Sequence, residues 1–166
     1  MKAFLFLVFI LCFSGTAAQV QSDAFDLLLK SLLSHSVPEV STSQTQNMKN
    51  ILFLDAREKD EYQVSHIAKA IHVGYDDFDI KRLEGVQKDE KIVVYCSVGY
   101  RSERIAEKLM MEGFSDVSNL YGGIFEWVNQ GQPIVDQRNH PTDNIHAYNK
   151  TWGIWLTKGN KVYEAK

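Results

Sequence analysis

VVYCSVGYRS, residues 93–102, carries a run of β-branched and aromatic residues into Cys96 and then, after four intervening residues, into Arg101 and Ser102. With Lys91 and Ile92 the run reads as a strand, nearly continuously apolar as parallel strands covered on both faces are. Beyond it, RSERIAEKLMMEG reads as a helix opening near Arg101. Its apolar stripe is Ile105, Ala106, Leu109 and Met110, and it stops at Gly113 with Phe114 beyond as a hydrophobic C-cap contact. The stretch is therefore strand, short turn, helix, with a cysteine at the end of the strand.

The turn has chemical consequences. Gly99 permits the backbone angles that aim successive N–H groups inward, and these meet the positive end of the helix. Together they make a pocket for an anion. The first anion it would hold is the thiolate of Cys96, because helix ends and nearby cations such as Arg101 favour the ionised sulfur over the thiol. A cysteine that only fills space at a buried strand end accounts for the sulfur's burial. It does not account for a glycine, an arginine and a serine in one short loop before a helix.

Working outward, ILFL at 51–54, AIHV at 70–73 and DVSNL at 116–120 read as further strands, and VPEV at 37–40, with its proline, as an edge strand. Between them, EKDEYQVS at 58–65 and YDDFDIKRL at 75–83 read as helices, the second with aspartates in its first turn and Lys81 and Arg82 in its last; GGIFEWVNQG closes the series, and residues 41–50 read as polar connection. Strands alternating with helices predict an α/β three-layer sandwich around a mainly parallel five-stranded sheet. Ligands of such sheets sit at the carboxyl ends of the strands. That edge receives Asp55, Arg57, His72, Gly74 and Cys96.

Both ends of the chain differ from this unit. MKAFLFLVFILCFSGTAAQV has one lysine, an apolar run from Ala3 to Phe13 and small residues ending at Ala18, the layout of an export leader cleaved after residue 18. Export to the periplasm or the cell exterior is the expectation, and Cys12 leaves with the leader. What remains has 148 residues, 17 basic and 21 acidic side chains. That mild acidity offers no broad attraction for nucleic acid or anionic membrane, and no later segment is apolar enough to span a bilayer. Its one cysteine leaves no partner for an internal disulfide, which excludes thioredoxin-like exchange. Residues 19–36 read as an N-terminal helix with Phe25, Leu28, Leu29, Leu32 and Leu33 on one face and Ser22 or Asp23 as cap. Residues 135–166 read as an aromatic-rich extension, in which the segments around Gly159 form a hairpin that packs Trp152 and Trp155 onto the domain.

Three separated motifs, ILFLDAREKDEYQVSHIAKAIHV, VVYCSVGYRS and NLYGGIFEWVNQG, resemble in order the signatures of the rhodanese domain, a sulfurtransferase fold. The likeness spans residues 37–134. It implies a rhodanese-like sandwich in which Cys96 takes a sulfane sulfur from thiosulfate or a related donor, carries it as a persulfide, and passes it to cyanide or a thiol acceptor, a small molecule or a protein. It implies further that the amides of Ser97, Val98, Gly99, Tyr100, Arg101 and Ser102 hold the substrate's anionic end, that Arg101 supplies charge, and that Asp55 and Arg57 brace the same edge; read from the residues alone, Asp55 and Arg57 are a structural ion pair. No cofactor or metal is implied. Ser65 stands where a glycine is commoner in the family. His66, Trp127 and Gly122-Gly123 match it as fold elements, and His72 is read as structural.

Two other readings compete. Phosphatases that resemble this fold place five residues between cysteine and arginine where this chain has four, too tight a ring for a tetrahedral phosphate. The other is a non-catalytic sensor or partner-binding module, or a carrier that is loaded and unloaded only by other proteins. In the extension, His140, Asp143 and His146 are candidate metal ligands in a polar loop without further ligands, and Asn149-Lys150-Thr151 is a glycosylation acceptor if the host is eukaryotic.

Overall fold

Ile92 and Val94 face one side of a parallel sheet and Val93 and Tyr95 the other, all fully buried, so the strand that delivers Cys96 lies at the centre of the molecule. In this computed structural model, which describes residues 19–164, that strand is β4 (Lys91–Tyr95). The expected leader, with Cys12, lies outside the described residues. The sheet order is β1 (Glu39–Val40), β5 (Asp116–Leu120), β4, β2 (Leu52–Asp55) and β3 (Ile71–His72), every pairing parallel. The short β1, preceded by Pro38, sits at the edge as its proline requires.

Helices cover both faces. On one, α4 (Tyr100–Met111) sets Ile105, Ala106 and Leu109 against Ile92, Val94 and Val117. Its end is a Schellman motif: Phe114 N–H donates to the Leu109 carbonyl at 3.1 Å and Gly113 N–H to Met110 at 3.0 Å, with Gly113 at φ 91° and Phe114 buried. Met110, expected in the buried stripe, is 43% exposed, because it lies about 100° round the helix from Leu109, beyond the edge of the sheet contact. On the other face, α1 (Asp23–Leu32), capped by Ser22, buries Phe25 and Leu29 against α5 (Gly123–Asn129) and the Val93 and Tyr95 side of β4.

Two connections depart from expectation. The polar stretch after β1 contains a one-turn helix, α2 (Thr42–Thr45), held by a capping box between Ser41 and Gln44. Residues 75–83 form no α-helix; only a 3₁₀ turn, Ile80–Leu83, is present. Asp79 is extended at φ −132° and caps Lys81 N–H, while Asp77 is drawn to Arg82 at 2.6 Å, so these aspartates spend their oxygens on local turns. Helix α3 (Lys59–Val64) forms as expected, with Glu61 buried on its inner side.

The extension folds back onto the α1 face. β6 (Ile134–Val135) pairs antiparallel with β7 (Pro141–Thr142), and β8 (Asn144–His146) pairs with β9 (Asn160–Val162). The last pairing is parallel, so the expected hairpin about Gly159 is absent. The chain between the two strands crosses over in a 3₁₀ turn, Trp152–Trp155, before Gly159 at φ 81° brings β9 in beside β8. The packing half of that expectation is present: Trp155 stacks on Phe25 at 5.3 Å between ring centroids, and Ile145, Ala147 and Leu156 are fully buried.

Candidate active site

Cys96 leaves β4 at the carboxyl edge of the sheet and is buried, its Sγ accepting a hydrogen bond from Gly99 N–H at 3.1 Å. Gly99 takes φ 118°, a conformation that closes the loop back on the sulfur and that residues with a Cβ seldom adopt. The loop is anchored from behind. The Gly99 carbonyl accepts from Asn119 Nδ2 at 3.1 Å, and Ser102 Oγ donates to Asn119 Oδ1 at 2.7 Å. It is also clamped by α5, whose first amides reach back: Ile124 N–H donates to the Cys96 carbonyl at 2.9 Å and Phe125 N–H to the Ser97 carbonyl at 3.1 Å. A Cβ on Gly123 would lie 2.4 Å from the Cys96 carbonyl oxygen, so only glycine allows this approach.

A cavity of about 470 Å³ opens above the sulfur, with Cys96, Ser97 and Val98 on its floor and Tyr100 and Arg101 on one wall. Of the six loop residues named from the sequence, these four after Cys96 line it. Gly99 and Ser102 do not: Gly99 acts through its N–H and Ser102 is buried behind the loop.

Arg101 is oriented by a residue the sequence reading gave no role. Its Nη1 donates to Glu61 Oε2 at 2.6 Å and its Nη2 to Glu61 Oε1 at 2.9 Å and Ser97 Oγ at 3.0 Å. Burial alone would raise the Glu61 carboxyl, but the hydrogen bonds and charge of Arg101, with Arg57 behind it, outweigh burial and hold it at about 2. The charge that Arg101 was expected to offer a substrate is therefore largely answered inside the protein. Glu61 lies within the quoted motif ILFLDAREKDEYQVSHIAKAIHV; that was the available signal, and its place on the buried side of α3 is what brings it to Arg101 forty residues on.

Asp55 and Arg57 form a fully buried pair, with Nη2 on Oδ2 at 2.7 Å and Nε on Oδ1 at 3.0 Å, and Arg57 Nη2 also donates to the Ser65 carbonyl at 2.6 Å. They tie β2 to the start and end of α3 without lining the cavity. His72 bonds the Arg57 carbonyl at 2.8 Å, and His66 stacks on Tyr62 at 3.8 Å, both as structural histidines. Among the described residues no three His, Cys, Asp or Glu side chains gather as metal ligands; His146 instead approaches Glu61 at 4.0 Å. No helix of the described residues is long and apolar enough to cross a membrane.

The remaining walls were not legible. Tyr148 and Trp152 of the extension, Leu32 of α1, and Glu58, Tyr75 and Asp76 line the same cavity.

Comparison with known proteins agrees with this arrangement. Over 98 residues the chain is 30% identical to the thiosulfate sulfurtransferase GlpE of Coxiella burnetii, covering 59% of this chain and 82% of that one. It is 35% identical over 92 residues to the tRNA uridine(34) hydroxylase of Escherichia coli, a match that takes in 50% of this chain but only 26% of that protein. Among solved structures, the rhodanese-like domain of the Anabaena Alr3790 protein superposes with a TM-score of 0.55 at 23% identity, covering 60% of this chain and 79% of that one. The thiosulfate sulfurtransferase of Pseudomonas aeruginosa superposes with a TM-score of 0.56 at 23% identity over 66% of this chain and 22% of its own; at this identity both show the fold. The model of the rhodanese-like domain matches residues 41–130, from the capping box of α2 to the end of α5, and takes in Cys96 with its whole loop. The chain belongs to the rhodanese-like domain family.

Proposed function

We propose that this chain is a sulfurtransferase that carries sulfane sulfur on Cys96. The observation that bears most weight is the Gly99 N–H directed at Sγ from a glycine-closed loop at the head of α4. In the first half-reaction the Cys96 thiolate attacks the outer sulfur of thiosulfate or a related donor. The donor's S–S bond breaks, sulfite leaves with the bonding pair, and Cys96 keeps the sulfur as a persulfide. In the second, a cyanide carbon or a thiolate attacks the terminal persulfide sulfur and Cys96 departs as thiolate. The loop amides and the dipole of α4 stabilise the anionic sulfur at each stage. Arg101 keeps the loop in shape through Ser97 and Glu61.

The clamp on Arg101 also weighs against the phosphatase reading, since a guanidinium bound to both oxygens of Glu61 is not presented to a phosphate. Export belongs to the same proposal, supported by the leader-like residues 1–18, and the N-terminus of the secreted form should then be Gln19.

The test is thiocyanate formation from thiosulfate and cyanide, with polysulfide as a second donor, for the parent and for Cys96→Ala. An active parent and an inert variant support the enzyme. Sulfur uptake on Cys96 without turnover supports a carrier discharged by a partner. Activity that survives Cys96→Ala overturns the mechanism.

A further inference from the structure

Two segments outside residues 41–130 meet over Cys96. Helix α1 brings Leu32, the extension brings Tyr148 and Trp152, and the Phe25–Trp155 stack locks the two segments together beside the cavity. Tyr148 is held at φ 63°, a backbone state disfavoured for a side chain of its size, with its N–H bonded to His146 Nδ1 at 3.2 Å. That conformation turns its ring over the guanidinium of Arg101, 5.2 Å from the ring centroid. The result is a cavity of about 470 Å³ whose upper walls are aromatic and aliphatic. That volume is in the range of sites for organic ligands and far beyond what cyanide needs.

Charge narrows the occupant further. Glu58 and Asp76 stand at the cavity, and the one cation on its wall among the described residues, Arg101, is bound to Glu61. Deep in the loop, the Gly99 N–H faces one negative sulfur; at the mouth, a second negative group meets Glu58 and Asp76, with no free cation lining the cavity among the described residues.

We propose that the sulfur acceptor of this site is a small organic thiol with an apolar or aromatic body and a neutral or positive charge, seated between Tyr148, Trp152 and Leu32 with its sulfur toward Cys96. This rests on the sulfurtransferase reading above. The terminal sulfur of the Cys96 persulfide takes a proton from solvent, the acceptor thiolate attacks that sulfur, the S–S bond to Cys96 breaks, Cys96 leaves as thiolate with the electron pair, and the acceptor departs as its own persulfide with that proton. Oxidation state is only passed between sulfurs, so no outside oxidant is needed.

The experiment loads Cys96 from excess polysulfide, verifies one added sulfur by intact mass, removes the donor, and times the loss of that sulfur. The acceptors are 2-phenylethanethiol, ethanethiol, cysteamine and 3-mercaptopropionate at equal thiolate concentration. The expected result is discharge about tenfold faster by 2-phenylethanethiol than by ethanethiol, with cysteamine faster than 3-mercaptopropionate. In Tyr148→Asn, which keeps a residue tolerant of the left-handed backbone, and separately in Trp152→Leu, the ratio of phenylethanethiol to ethanethiol rates should fall toward one. A parent ratio near one, a ratio unmoved in both variants, or fastest discharge by 3-mercaptopropionate overturns the acceptor assignment while leaving sulfur transfer intact. A protein that takes up no sulfur on Cys96 overturns both.

Discussion

Glu61 and Arg101, forty residues apart in sequence, close two hydrogen bonds at 2.6 and 2.9 Å and so join α3 to the loop that follows Cys96. Replacing one partner should show what each side owes the other. Glu61→Gln leaves a mostly buried guanidinium with a neutral neighbour, and a loss of about 3 kcal/mol in urea unfolding is expected. The same change frees positive charge toward the cavity, so the KM for thiosulfate should fall severalfold in the protein that remains folded. An unchanged KM would mean that Arg101 stays out of reach of an anionic donor even when released.

Acid should weaken the fold in two stages. His66 and His146 are held below the ordinary 6.5, chiefly by burial, so below 6.5 the unfolded chain binds more protons than the folded one and stability falls with pH. Glu61, at about 2 against an ordinary 4.5, adds stability that is complete above 4.5 and lost as pH falls through about 2. That second contribution amounts to about 3 kcal/mol. Urea midpoints measured from about pH 7 down to about pH 2 should decline through both windows. Glu61→Gln should flatten the lower one and, by removing the carboxylate charge that favours the protonated His146, steepen the upper one.

Gly123 is where α5 presses on the active loop. In Gly123→Ala the new methyl would sit 2.4 Å from the Cys96 carbonyl and 2.7 Å from the Ser97 backbone, so the loop must move. Overpacking of this kind costs about 1–3 kcal/mol. Because the displaced atoms carry the sulfur and its cradle, sulfur transfer should fall much further than stability does. Equal activity in parent and variant would show that the loop tolerates the shift.

The extension is held by Trp155 on Phe25 and by Asn129, whose Oδ1 accepts from Thr157 N–H at 2.7 Å and whose Nδ2 donates to the Trp155 carbonyl at 2.8 Å. Trp155→Ala should lower unfolding stability by about 2 kcal/mol and loosen the wall that Tyr148 and Trp152 form. Deleting residues 147–166 should lower the Tm as well. A Tm unchanged by the deletion would contradict packing of the extension onto the domain.

The centre of the fold was legible because its signals are local and agree with one another. A continuous apolar run, a glycine turn and a periodic stripe ending in Gly113-Phe114 specify β4, the loop and α4 without reference to the rest of the chain. The ring of residues that orients the loop was not. Glu61 and Asn119 lie far from Cys96 in sequence, and only the sheet order β5-β4-β2 brings them beside it. Residues 75–83 misled because their charges suit a helix dipole while the same aspartates favour turns. The β8–β9 pairing escaped because its strands are three residues each, polar, and parallel across an intervening 3₁₀ turn.

The loop after Cys96 should make its sulfur an acceptor of sulfane sulfur. Intact and peptide mass spectrometry of the protein after brief exposure to excess thiosulfate or polysulfide, beside Cys96→Ser, reads this directly. The account predicts one added sulfur atom, located on Cys96, released by cyanide and absent from the variant. A parent that gains no sulfur, or gains it equally in Cys96→Ser, would contradict it.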